Sequence, residues 1–130
     1  MPFPDSNKHE SSNHFQAFFE YATMGIVVTD SVGKITAINP YALKEFGYTK
    51  EELIGEKVEI LIPTRFVPRH EHYHQKFNEK PNTRLMSSDL NLFAQKKDGT
   101  EFSVEVGLSN YYLNNEKFII SFINNIYKIC

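Results

Sequence analysis

Cysteine is almost missing from this chain. The only one, Cys130, is the last residue, which excludes an internal disulfide and a cysteine-based metal cage. An excess of either charge is missing too: 14 Lys and Arg stand against 16 Asp and Glu, for a formal net charge of -2. No Lys/Arg cluster is interleaved with aromatics, so there is no basic field to hold phosphate backbones, and nucleic acid is not an expected partner. Long apolar runs are absent as well. The longest, Phe118–Ile123, falls far short of the roughly 20 residues that a membrane-spanning helix needs. Residues 1–10 carry Asp5, Lys8 and Glu10 rather than an apolar stretch, so a cytoplasmic chain without membrane insertion is expected. What is present is apolar and aromatic: 41% of the 130 residues are hydrophobic and 11 are Phe, enough for one folded domain and too few for two.

The patterning assigns elements in order. Residues 1–11 are polar and hold Pro2 and Pro4, so they are expected to form a flexible N-terminal arm ahead of a single domain spanning 12–127. Phe15, Phe18, Phe19 and Ala22 then stand at i, i+3, i+4 and i+7, the stripe of an amphipathic helix that Gly25 ends. That stripe is more aromatic surface than one edge of a small sheet covers, which makes Phe15, Phe18 and Phe19 the expected interface of a homodimer. Ile26–Thr29 and Lys34–Ile38 are β-branched runs separated by turn residues, a hairpin signature. Asn39 and Pro40 open a short helix in the preferred order, closed by Gly47, and Thr49 with Glu52 forms the capping box of another, closed by Gly55. Helices this short form only when packed, so Leu43, Phe46, Leu53 and Ile54 are expected to face the sheet.

The last third reads as strand. After a polar loop over 81–88, Leu90–Lys97, Thr100–Tyr112 and Lys117–Asn124 turn at Asp98-Gly99 and Asn114-Asn115. In the middle one Phe102, Val104, Val106 and Leu108 share a face. The final strand is apolar on both sides, with Phe118, Ile120 and Phe122 on one and Ile119 and Ile123 on the other. It is therefore expected to be central, with Phe118, Ile120 and Phe122 in the core and the N-terminal Phe helix as its second cover. The expected fold is α+β, with a five-stranded antiparallel sheet and helices on one face.

Chemistry concentrates in Arg65–Lys80, which holds three of the five histidines. A helix from Pro68 to Glu79 places His70, Tyr73 and Phe77 on one face with His74 at its edge. Two aromatics and an imidazole, in place of Leu and Val, suit a cavity wall. The plainer role for His70 is a hydrogen-bonded core histidine. His70, Glu71 and His74 also match H-E-x-x-H, in which two histidines a turn apart hold zinc and the Glu acts as base, although no third ligand follows just downstream.

The chain resembles the PAS sensor domains from Phe15 to Ile126. The resemblance rests on Gly25-Ile-Val-Val-Thr-Asp30, Gly33 followed by Ile38-Asn39-Pro40, Phe46-Gly47-Tyr48 with Glu51-Glu52-Leu53-Ile54-Gly55, and Lys97-Asp98-Gly99-Thr100-Glu101-Phe102. It implies the strand order 2-1-5-4-3 and a cytoplasmic input module of the kind found in bacterial sensor histidine kinases of two-component systems, with sheet and helices enclosing a ligand pocket. Two features depart from the family. Asn125-Ile126-Tyr127 stands where the last strand commonly ends in Asp-Ile-Thr, and no outgoing helix or kinase core follows, so a module that serves a longer protein or associates with one is expected.

The resemblance also frames the cofactor question. Flavin-cysteine chemistry is excluded, because Cys130 lies outside the helical half. Haem is the alternative: Arg69-His70-Glu71 with Tyr73 is similar to the proximal-histidine pattern of haem-binding PAS domains, although Leu90 stands where those carry an oxygen-contacting arginine. The expected function is a non-catalytic sensory or regulatory module for a small ligand or partner, with a pocket lined by His70, Tyr73, His74, Phe77, Leu92, Val104, Val106, Ile120 and Phe122. A haem-binding gas or redox sensor through His70 is the alternative, and an H-E-x-x-H zinc hydrolase the second.

Overall fold

The computed structural model describes residues 4–67, 84–86 and 92–126. The expected helix over 68–79, with His70, Tyr73, His74 and Phe77, lies outside them. Helix α1 (Pro4–Tyr21) is followed by strands β1 (Gly25–Asp30) and β2 (Ile35–Ile38), then short helices α2 (Pro40–Phe46) and α3 (Lys50–Leu53). Two single 3-10 turns, Val58–Leu61 and Thr64–Phe66, lead to β3 (Arg84–Met86), β4 (Phe93–Gln95), β5 (Glu101–Leu113) and β6 (Glu116–Asn125). All pairings are antiparallel in the order β2-β1-β6-β5-β3, and β4 also pairs with β5. β3 and β4 both pair with β5 on the side opposite β6, so the sheet is five strands wide in the expected order.

Local chemistry accounts for most boundaries. Asn39 caps α2 through a hydrogen bond from the Ala42 amide, Pro40 sits in the first turn, and Gly47 ends the helix in the left-handed region at φ 80°. Thr49 and Glu52 exchange both bonds of a capping box on α3. Asn114 and Asn115 adopt positive φ (52° and 66°) in the turn between β5 and β6, a geometry that asparagine tolerates and tight hairpins require.

The core lies between the sheet's inner face and the helical half. Val27, Ile35, Ile38, Ala42, Phe46, Leu53, Leu61, Ala94 and Val104 are buried together, with Leu43, Leu92, Phe102, Val106 and Ile123 packed against them. β6 is central, between β1 and β5, as expected.

Five expectations are corrected. The helical backbone begins at Pro4, so residues 4–11 of the anticipated arm belong to α1; proline's missing N–H costs nothing in a first turn. Arg84–Met86 is a strand, not part of a polar loop, because it pairs with Val106–Leu108. Ile54 is 38% exposed, since it is the extended residue that ends α3. On β6 the buried residue is Ile119, at 3% exposure, whereas Phe118, Ile120 and Phe122 are only half-buried. Finally, among the described residues α1 packs chiefly against α2 rather than on that second face, and Phe15 and Phe18 remain 69% and 71% exposed.

Candidate functional site

Pairing register decides which side chains share the inner face. Cross-strand partners point to the same side of a sheet. β5 and β6 pair Val104 with Asn125, Val106 with Ile123 and Leu108 with Ser121, while β1 and β6 pair Gly25 with Ile123, Val27 with Ser121 and Thr29 with Ile119. Val27 and Val104 belong to the core cluster, so this is the inner set. The outer set is Ile26, Val28, Phe118, Ile120 and Phe122 with Gly107, Ser109 and Tyr111.

The expected pocket residues therefore divide. Leu92, Val104 and Val106 are brought together: Val104 N–H donates to the Leu92 carbonyl at 3.0 Å, and Leu92 and Val106 pack on the cluster that buries Val104. Ile120 and Phe122 are not with them; the register sends both to the opposite face and puts Ile119 and Ile123 in their place. His70, Tyr73, His74 and Phe77 lie outside the described residues. Ile123 and Ser121 are inner-face residues that sequence reasoning missed. The signal was the two-residue turn: pairing Leu113 with Glu116 across Asn114-Asn115 and counting back sets Val106 opposite Ile123.

Around this apolar patch, the Phe46 and Phe102 rings meet at 5.4 Å between centroids, tilted by 55°. Asn39 is wholly buried and satisfied: its Oδ1 accepts from the Ile26 and Ala42 amides at 2.9 and 3.1 Å, and its Nδ2 donates to the Met24 carbonyl at 3.0 Å. Among the described residues no buried side-chain nitrogen or oxygen lacks a hydrogen-bond partner.

The charged groups form a rim. Arg65 donates to both carboxylate oxygens of Glu101 at 2.6 and 2.5 Å, and its guanidinium lies 4.5 Å from the centre of the Phe66 ring. Phe66 stacks on Phe93 at 6.0 Å. The last described residues before the 68–83 stretch are thus clasped to the start of β5. The bond from Arg65 holds the Glu101 carboxyl below its ordinary range, and Glu101 in turn raises the Arg65 guanidinium. Lys97 acts likewise on Glu52, with help from the Thr49 amide, and the Thr100 amide and hydroxyl lower Asp98. At the far end of the sheet, burial alone raises Tyr111 and lowers Lys117.

Residues 92–126 contain no histidine or cysteine, so that half offers haem iron neither an imidazole nor a thiolate. Among the described residues no group of three or more His, Cys, Asp or Glu could hold a metal ion, and no helix is long and apolar enough to cross a membrane. The described inner face is apolar, and any axial imidazole would have to come from residues outside it.

Comparison with known proteins agrees with this architecture. The sequence profile described as PAS domain matches residues 23–127. The chain is 28% identical over 127 residues to the oxygen sensor protein DosP of Escherichia coli, covering 96% of this chain and 16% of that protein. It is 21% identical over 113 residues to the sensor protein FixL of Bradyrhizobium diazoefficiens, covering 87% of this chain and 22% of that one. It thus spans less than a quarter of these relatives' length. Among solved structures, the PAS domain of an HTR-like protein from Haloarcula marismortui superposes with a TM-score of 0.76 at 23% identity, covering 95% of this chain and 98% of that one. A PAS domain from Colwellia psychrerythraea gives 0.78 at 22%, covering 89% and 97%.

Proposed function

The chain belongs to the PAS domain family, and from that premise we propose that it is a sensory or regulatory module with no catalysis of its own. It takes a small, largely apolar ligand against the inner face at Leu92, Val104 and Val106, with His70, Tyr73, His74 and Phe77 closing the site from the preceding stretch. The observation that carries this reading is the inner face itself: apolar, free of histidine and cysteine over 92–126, and set in a fold whose relatives include named sensor proteins. The domain, residues 12–127, works in the cytoplasm and passes its signal to an output domain such as the histidine kinase of a two-component system. It pairs as a homodimer through Phe15, Phe18 and Phe19 of α1, two of which are largely exposed.

Haem held by His70 is the second reading, favoured by the similarity to the oxygen sensor protein DosP. The purified chain separates the two. An absorption spectrum with metal analysis, followed by native mass spectrometry, should give no Soret band and a small-molecule adduct. A stoichiometric Soret band that vanishes in His70→Ala with the unfolding midpoint unchanged would replace the first reading by the second. A chain that carries neither haem nor adduct, and whose midpoint moves with no small apolar compound, would sink both.

A further inference from the structure

Helix α2 is tied at one end to the segment that leads from α1 into β1 and at the other to the end of β6. At its start, Asn39 holds the lead-in to β1: its side chain bonds the Met24 carbonyl and the Ile26 amide at 3.0 and 2.9 Å, and its backbone N–H donates to the Ile26 carbonyl at 3.0 Å. In its middle, Ala42 presses on the crossing of β1 and β6, where a Cβ on Gly25 would stand 3.3 Å from the Ala42 Cβ and 3.4 Å from the Ile123 carbonyl oxygen. At its end, Glu45 Oε1 accepts a hydrogen bond from Asn125 Nδ2 at 3.0 Å, across 80 residues of sequence. Asn125 is the last residue of β6, and the next amide, Ile126, donates to the Ser103 carbonyl at 2.9 Å.

We infer that α2 is a strut coupling the lead-in at Met24–Ile26 to the exit at Asn125–Ile126, with the Glu45–Asn125 hydrogen bond as its releasable end. The two ends are unequal. Several bonds around a wholly buried asparagine tie α2 to the lead-in, while one side-chain bond between half-buried groups ties it to the exit; the Phe46 carbonyl at the same end accepts from the Lys97 amide, away from the exit. The weaker end also adjoins the candidate site, because Asn125 is the cross-strand partner of buried Val104 and shares its face. A ligand that displaces Val104 therefore acts on Asn125 first. This use in signalling rests on the sensory reading above; the coupling itself does not. Glu45 and Asn125 are positioning residues in this scheme.

Amide hydrogen exchange on the intact chain tests the coupling, with the β5–β6 ladder between Leu108 and Ile120 as internal reference. Asn125→Ala and Glu45→Ala should each speed exchange of the Ile26 amide, at the opposite end of α2, about fivefold or more relative to the ladder. The double substitution should add nothing to either single one. Glu45→Gln, which keeps an acceptor oxygen, should stay within about twofold of the unsubstituted chain. If alanine unfolds the chain, Asn125→Asp, equal in size but without the donor, is read the same way. Faster exchange at Ile126 with Ile26 unchanged, or single effects that multiply in the double variant, would overturn the inference. Coupling found in a chain that binds no small molecule would leave the strut standing and remove the sensory reading.

Discussion

Helices α1 and α2 show how little length and aromatic content say about anchoring. α1 runs for 18 residues with a stripe of Phe, yet Phe15 and Phe18 remain mostly exposed. α2 runs for 7 and buries Ala42 and Phe46 completely or nearly so, at 0% and 1% exposure. The difference lies in what surrounds the helix ends. α2 is capped at both termini, bonded through Asn39 to β1 and through the Phe46 carbonyl to the Lys97 amide, so its apolar side is delivered to the sheet in one orientation. A short helix has little stability of its own, and these polar contacts with the packing they orient supply it. α1 has no comparable attachment among the described residues, and its aromatic side is left for another surface.

The sharpest break of this comparison is Phe46→Ala against Phe15→Ala. Removing the buried ring should cost about 3–5 kcal/mol in urea unfolding, and removing the exposed one, measured in dilute solution, less than about 0.5 kcal/mol. Equal losses would mean that α1 is packed in solution in a way the fold does not show. The same contrast applies to neighbours on one strand: Ile119→Ala should cost about 2–5 kcal/mol and Ile120→Ala clearly less. A reversal of that order would put β6 in the other register.

Asn39→Ala comes next. It removes the cap and leaves the Ile26 amide and Met24 carbonyl without their side-chain partner, for an expected loss of about 2 kcal/mol in the same titration. If Asn39→Ser, which keeps a capping oxygen, loses as much as alanine, the cap is not the source of the effect.

Acid should act weakly, and on the α3–hairpin side of the molecule. Glu52, Asp98 and Glu101 are all held below their ordinary pKa by their partners, so the stability they contribute is present above about pH 4.5 and disappears as pH falls through the lowered values. Glu52 and Asp98 are exposed and Glu101 is partly so, and the effect should be small and screened by salt. A urea midpoint followed from pH 7 down to about 3 should fall less steeply in Glu101→Gln than in the unsubstituted chain; parallel curves would show that the Arg65 clasp contributes nothing.

The smallest effect on folding should accompany the clearest effect on association. Phe15→Glu with Phe18→Glu should leave the unfolding midpoint nearly unchanged while sedimentation velocity shows a monomer. A double variant that still pairs would move the dimer interface away from α1.

How much of this was legible in the residues depends on the range of the interaction. Caps, turns and strand alternation were readable because their causes lie within a few residues: Asn39 before Pro40, Thr49 three residues from Glu52, Asn114 beside Asn115. The order 2-1-5-4-3 came from the PAS resemblance, with the doubly apolar last strand agreeing. The expected site was legible only in part. Leu92, Val104 and Val106 could be grouped by alternation along their own strands, but alternation along β6 does not say which side faces inward when both are apolar.

By itself, then, the amino-acid sequence determined the hairpin turns, the caps of α2 and α3 and the central place of β6, since each follows from backbone preference or from apolar residues that must leave water. Tertiary structure decided three things: that Ile119 and Ile123, not Ile120 and Phe122, lie on the inner face; that Arg84–Met86 joins the sheet; and that Glu45 meets Asn125. Each depends on pairing register or on a contact between residues far apart in the chain, and a one-residue change of register exchanges every side chain on a strand between the two faces of the sheet.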